Sequence, residues 1–171
     1  MKRCQKLPIG IQNFEGLRRD GYLYVDKTEC INRLISEGRY YFLSRPRRFG
    51  KSLLISTIQA LYEGKKELFD GTIGKRLAIA DKADIDWAKH PVLHLDLNTQ
   101  KYDRVEALTN ILNENLVAWE KLYGRNEVEV ELGRRFEGVI RRACEKTGQR
   151  TVSLSTNTTN LCCRLWKMNL C

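Results

Sequence analysis

Apolar positions recur along the chain with two kinds of spacing, and the two kinds alternate. Short runs rich in apolar residues, typical of strands buried in a sheet, occur at residues 40–43 and 91–97. Apolar residues three and four positions apart, typical of amphipathic helices, lie before, between and after these runs. Strands that alternate with helices predict an α/β fold with a parallel sheet flanked by helices.

Four segments have the helical spacing. The first begins near Asp26 or Thr28, either of which can cap a helix, and it ends at Gly38. The other three segments cover residues 51–63, 104–123 and 129–146. The side chains predicted to face the core share this spacing and are Ile31, Leu34, Ile35, Leu54, Ile55, Ile58, Leu61, Tyr62, Leu108, Ile111, Leu112, Leu116, Trp119, Leu132, Phe136, Val139, Ile140 and Ala143.

The residues between the first predicted strand and the second predicted helix carry the most specific chemistry. A turn rich in Pro and Arg leads into Gly50-Lys51-Ser52 at a helix start, which predicts a phosphate-binding P-loop. In that geometry Lys51 reaches the β- and γ-phosphates of ATP, and the Ser52 hydroxyl holds Mg²⁺. Gly50 lets the backbone close around the phosphate because it has no Cβ. The predicted binding site comprises Pro46, Arg47, Arg48, Phe49, Gly50, Lys51, Ser52 and Leu53.

The P-loop pattern is only half intact, since Arg45 occupies the place of the first glycine in G-x-x-x-x-G-K-[ST]. Basic surface turns also contain Gly-Lys-Ser, which leaves a second hypothesis, a non-enzymatic module that binds nucleic-acid phosphates. The net charge of +9, from 30 Lys and Arg against 21 Asp and Glu, suits either anionic partner. The basic residues available to such a module are Arg45, Arg47, Arg48 and Lys51.

The compartment is predicted from what the sequence lacks. Met1 is followed by no apolar leader segment, and no run approaches the length of about 18 apolar residues that a membrane span needs. We therefore expect a cytoplasmic protein with no membrane partner, whose six cysteines stay reduced. Cys30 and Cys144 fall in helical patterns and are interpreted as small core residues.

Four segments of the chain together form a recognisable pattern: Tyr24–Thr28, Tyr41–Leu53, Leu68–Thr72 and Leu93–Asp96. With this pattern the chain resembles the bacterial AAA-ATPase-like family over roughly residues 8–150, and members of that family also carry Arg where the first Walker A glycine would stand. The resemblance implies ATP and Mg²⁺ as ligands. It also implies a Walker B strand, the rest of an ATPase core and a restriction-endonuclease-like domain, which the remaining residues cannot accommodate.

The resemblance divides the chain into three parts: a lead-in with a short helix at 1–39, the N-terminal part of a P-loop domain at 40–150, and a tail at 151–171. The tail has no usable period and an unusual mixture of Ser, Thr, Asn and Cys. Read one base out of frame from Val152, its codons can encode Val-Leu-Val-Asp-Glu-Tyr-Asp-Lys-Pro. Such a run has the form of a Walker B strand, whose adjacent carboxylates position Mg²⁺ and the attacking water.

A one-base loss near codon 152 is therefore our hypothesis for the tail. It predicts that the tail packs no core and that the P-loop NTPase-type parallel sheet is incomplete. We expect nucleotide binding without ATP hydrolysis, and a product of marginal stability. Asp96, at the end of the second predicted strand, is interpreted as a turn or cap residue rather than a substitute for the missing carboxylates.

Overall fold

The chain divides into two compact units; in the described residues the first contains helices and the second contains helices and strands. Residues 1–39 and 45–89 form the first unit, and residues 40–44 and 90–171 form the second. The computed structural model describes residues 6–38, 41–44, 46, 48–97, 105–156 and 166–167.

The first unit is helical in its described part. Its core is formed by buried side chains of the helices and of the segment after them, including Phe14, Ile58 and Phe69. The elements are α1 (Phe14–Arg19), α2 (Thr28–Glu37), α3 (Lys51–Tyr62) and two 3₁₀ turns, Lys66–Leu68 and Ala78–Asp81.

Asp26 and Thr28 act differently from the helix caps predicted for them. The N-cap of α2 is Lys27, which makes no side-chain capping hydrogen bond. The Asp26 carboxylate accepts from the N–H of Thr28 at 2.9 Å and from the N–H of Ala78 at 2.7 Å. The Thr28 hydroxyl accepts from the N–H of Ile79 at 3.0 Å. These two side chains therefore join the start of α2 to the second 3₁₀ turn.

Arg18 organises the loop between the two 3₁₀ turns. Its buried guanidinium donates from Nε to the Leu68 carbonyl at 2.9 Å, and from Nη2 to the carbonyls of Ile73 and Lys75. Burial lowers the pKa of Arg18 from its usual value. Carbonyl oxygens that would otherwise be left unsatisfied thus receive charge-assisted hydrogen bonds, which fix the conformation of the loop.

The second unit has the predicted α/β character, with a parallel strand pair flanked by helices. β1 and β2 are parallel, with Val92 opposite Val152 and Asp96 opposite Thr156, and β3 pairs antiparallel with β2. Leu93 of β1 packs with residues of both long helices. The elements are β1 (Val92–Asp96), α4 (Val105–Tyr123), α5 (Leu132–Thr147), β2 (Val152–Thr156) and β3 (Trp166–Lys167).

The strand predicted at 40–43 is not confirmed in the described residues. Residues 41–44 have no regular secondary structure, and residue 40 lies outside the described part of the chain. Phe42 is exposed. A strand requires a hydrogen-bonding neighbour as well as apolar side chains, and the sequence pattern reports only the side chains.

The expectation that nothing after residue 150 packs a core is wrong for 152–156. Val152 and Leu154 are buried, as are the hydroxyl residues Ser153 and Thr156. β-Branched and small side chains suit a strand covered on both faces, so this short segment folds against β1 despite its polar composition.

Two further predicted core positions and one predicted redox state differ from expectation. Cys30 is free and exposed, because it lies about 100° around α2 from the buried Ile31. Cys144 is buried as predicted, but it is disulfide-bonded rather than reduced. Leu108 is exposed, whereas Ile111, later in the same helix, is buried.

Candidate phosphate-binding loop

Gly50 ends the loop and starts α3. It is the N-cap of the helix, with φ 74° and ψ 21°, and its carbonyl accepts the first helical hydrogen bond, from the N–H of Leu54 at 2.9 Å. A Cβ added at Gly50 would meet no atom within 4 Å, so glycine is favoured here by the backbone conformation and not by a lack of space. This left-handed conformation costs other residues about 1 kcal/mol.

Arg48 is left-handed as well. Its φ is 67°, and it is the non-glycine residue with positive φ in the described part of the chain. Phe49, between Arg48 and Gly50, has a negative φ, so the sign of φ alternates over three consecutive residues. Backbone of this alternating kind points successive N–H groups toward one side and forms a concavity that suits an anion.

The start of α3 adds donors to this concavity. The first N–H groups of an α-helix have no acceptor within the helix, and Gly50 offers no side-chain cap. The helix dipole places partial positive charge at the same end. The loop and the helix start therefore form an arrangement that favours a phosphate group.

The predicted site residues differ in exposure. Arg48 and Phe49 are exposed, with Phe49 at 64% of its full accessible surface, whereas Lys51, Ser52 and Leu53 are half-buried. Arg45 and Arg47, which were predicted to contribute positive charge, lie outside the described residues. Lys51, Ser52 and Leu53 thus lie in the first turn of α3, which begins where the sequence predicted a helix to begin.

The buried face of α3 holds the helix in the first unit. Ile55, Ile58 and Leu61 are buried, and the Thr57 hydroxyl donates to the Leu53 carbonyl at 2.8 Å. The Ser56 hydroxyl accepts from the N–H of Phe14 at 2.8 Å. Ser56 could not be identified from the sequence, because its partner is a main-chain group that leaves no signature there.

Asp96 lies at the carboxyl end of β1, in the second unit. Thr156 stands opposite it at the end of β2, and its hydroxyl donates to the Asp96 carboxylate at 2.7 Å. Asp96 is therefore the last residue of a strand with a cross-strand partner, not the turn or cap residue predicted. β2 ends in Ser155 and Thr156, which lack the carboxylates that hold Mg²⁺ in ATPases.

The described residues lack two features that would indicate other functions. No group of three or more His, Cys, Asp and Glu side chains there has an arrangement that could hold a metal ion. None of the helices in the described part of the chain has the length and apolar character that a membrane crossing requires.

Comparison with known proteins identifies relatives of the chain. A protein family described as "Predicted AAA-ATPase" matches residues 8–155. A protein of Azotobacter chroococcum mcd 1, described as an uncharacterized protein in the vnfD 5' region, is 40% identical over 152 residues. That match covers 88% of this chain and 28% of the relative, so the chain spans less than a third of the relative's length. No solved structure matches.

Proposed function

Since this chain belongs to the predicted AAA-ATPase family, we propose that its loop at 46–53 binds the phosphates of ATP together with Mg²⁺. The observation that carries the proposal is the left-handed Gly50 directly before α3, at the Gly-Lys-Ser of a phosphate loop. Its conformation and the alternating backbone before it suit a phosphate group without any rearrangement of the helix start.

Each residue of the loop has its own role in the proposal. The backbone N–H groups at the start of α3 bind phosphate oxygens, and the Lys51 ammonium reaches the β- and γ-phosphates. The Ser52 hydroxyl would hold Mg²⁺, whose other ligands are phosphate oxygens and water, as is usual for this ion. The exposed Arg48 side chain is available to the γ-phosphate or to a partner.

ATP hydrolysis is not part of the proposed function. Catalysis in ATPases of this type needs carboxylates at a strand end to position Mg²⁺ and the attacking water. The sequence has Ser155 and Thr156 where the apolar strand ends. We attribute this to a one-base loss near codon 152, since the shifted frame can encode adjacent carboxylates at this point of the chain.

A binding titration tests the proposal. A fluorescent ATP analogue is titrated into the wild type and Lys51→Ala, with Mg²⁺ and with EDTA. We expect Lys51→Ala to raise Kd about 30-fold, since a hydrogen bond from a charged donor contributes about 2 kcal/mol. Lys75→Ala removes the same charge from an exposed position outside the loop and should bind as the wild type does. Equal affinities for the wild type and Lys51→Ala would refute the proposal.

The same variants test the nucleic-acid hypothesis. A module that contacts nucleic-acid phosphates binds with an affinity that falls steeply with salt concentration, and each lost cation weakens it only partly. Under that hypothesis Lys51→Ala reduces DNA affinity modestly and ATP does not compete with DNA. Competition by Mg·ATP together with loss of binding in Lys51→Ala would favour the nucleotide site.

A further inference from the structure

The Ser56 hydroxyl joins the helix that carries the phosphate loop to the start of α1. It accepts a hydrogen bond of 2.8 Å from the N–H of Phe14, in a partly buried position. Ser56 follows Ser52 by four residues, so the two side chains lie on the same side of α3, one turn apart. The contact is therefore one helical turn from the residue proposed to hold Mg²⁺.

Phe14, which donates this hydrogen bond, is held in place by the packing of its side chain. Its ring is fully buried, 4.9 Å from the ring of Phe69 and 5.2 Å from the ring of Tyr24, measured between centroids. The Asn13 side chain caps the same helix by accepting from the N–H of Gly16 at 2.9 Å. Because Phe14 is the first residue of α1, its own N–H has no acceptor within the helix, and Ser56 satisfies it.

The apolar contacts of α3 fix its buried face but not its exact rotation about its own axis, which this hydrogen bond sets. Packing of Ile55, Ile58 and Leu61 sets which face of the helix is buried, but dispersion contacts are not directional. A hydrogen bond requires a near-linear geometry, so the bond between Phe14 and Ser56 fixes the rotation of α3 about its own axis. That rotation determines where the side chains of the first helical turn point.

We propose that Ser56 is a positioning residue for nucleotide binding, which fixes the rotation of α3 and thereby directs Lys51 and Ser52 toward the phosphates and Mg²⁺. The inference rests on the proposed function, since it concerns the same site. Binding groups need placement within about 0.5 Å of the productive geometry, and a small rotation of the helix moves the first-turn side chains by as much. Ser56 itself makes no contact with the nucleotide.

Titration with the fluorescent ATP analogue tests this role, because it yields Kd and the number of sites separately. A purely structural role would lower the number of competent sites and leave Kd unchanged. We expect Ser56→Ala to raise Kd about five-fold, the equivalent of one hydrogen bond, with unchanged stoichiometry. Ser56→Thr, which keeps a hydroxyl, should restore the wild-type Kd.

The control is Ser36→Ala in α2. The Ser36 hydroxyl donates to the Asn32 carbonyl at 2.9 Å, so this variant also loses one serine hydrogen bond in the same unit, but not one to α3. We expect its Kd to equal that of the wild type. If Ser56→Ala does not fold, Ser56→Thr and Ser56→Val provide the comparison, since they have the same shape and differ by the hydroxyl.

The outcomes separate this inference from the proposed function. If Lys51→Ala loses binding but Ser56→Ala and Ser56→Val bind as tightly as the wild type, the positioning role is overturned and the nucleotide site stands. A reduced number of sites at unchanged Kd overturns the positioning role as well. If the wild type itself does not bind Mg·ATP, both are overturned.

Discussion

Arg135 and Glu120 form a two-point ion pair between α5 and α4. The guanidinium Nε and Nη2 each lie 2.8 Å from one carboxylate oxygen, and the side chains are only 8% and 4% exposed. Nη1 of Arg135 donates to the Asn113 side chain at 2.6 Å. This arrangement occupies Nε and both Nη atoms of Arg135 and both carboxylate oxygens of Glu120, so the pair links the two long helices of the second unit.

Breaking this pair should be costly. We expect Glu120→Ala to lower the free energy of unfolding by about 3 kcal/mol, since it leaves a buried charge without its partner. Urea unfolding followed by circular dichroism measures the change. Glu131→Ala is the control, because its pair with Arg134 is 3.9 Å long with side chains 81% and 73% exposed, and exposed pairs contribute little. Equal losses in the two variants would contradict the expectation.

The same pair should make stability depend on pH. Hydrogen bonds from Arg135 hold the pKa of Glu120 below its usual value of 4.5. A carboxyl group whose pKa is lower in the folded state than in the unfolded state stabilises the protein at pH above 4.5. This stabilisation is lost as the pH falls through the lowered pKa of the folded state. The stability difference between the wild type and Glu120→Gln should therefore shrink when unfolding is measured at successively lower pH. A constant difference would show that the pair is not the cause.

Arg48 and Gly50 should respond oppositely to substitution. Arg48→Gly relieves the left-handed conformation and should raise the free energy of unfolding by about 0.5 kcal/mol, whereas Gly50→Ala should lower it by about 1 kcal/mol. Thermal unfolding measures both. Arg48→Asn is an informative companion, since Asn tolerates positive φ but carries no charge. If Arg48→Gly and Arg48→Asn both bind Mg·ATP as the wild type does, the left-handed backbone at residue 48 is sufficient for nucleotide binding and the arginine charge is not needed.

The origin of the tail can be checked directly in the gene. If one base was lost near codon 152, a missing base should be found when the codons for residues 149–161 are sequenced again or compared with those of close relatives. The restored frame should read Val-Leu-Val-Asp-Glu, and the longer product should hydrolyse ATP. An unchanged sequence in independent isolates, with in-frame relatives that share the tail, would contradict the hypothesis.

Most of the helical structure could be predicted because its signal is local. α3, α4 and α5 fall within two or three residues of their predicted limits, and β1 lies inside the predicted run at 91–97. β2 was missed because its apolar and polar residues alternate over only five positions, Val152–Thr156, within a tail rich in Ser, Thr and Asn. The strand predicted at 40–43 is not confirmed, because strand pairing depends on a neighbour at any distance in sequence, which the local pattern does not report.

The residues of the candidate site and its surroundings were likewise predictable only where their signal is local in the sequence. Gly50, Lys51 and Ser52 were predicted because a contiguous motif encodes their chemistry, and the structure places them at a helix start. Arg18 and Ser56 could not have been predicted, because their partners are main-chain groups some forty to sixty residues away. A main-chain N–H or C=O is present at nearly every position, so nothing in the sequence marks the one that is used.

The register of β1 against β2 sets the order in which the second unit can fold. Asp96 and Thr156 are 60 residues apart, and α4 and α5 lie between them. The helical hairpin can form early, because its contacts are local, whereas the strand pair must close the whole intervening loop. During synthesis β1 therefore leaves the ribosome long before its partner strand exists. Its edge toward β2 stays unpaired until the residues of β2 have been synthesised, so this strand pair is completed later than the helical hairpin.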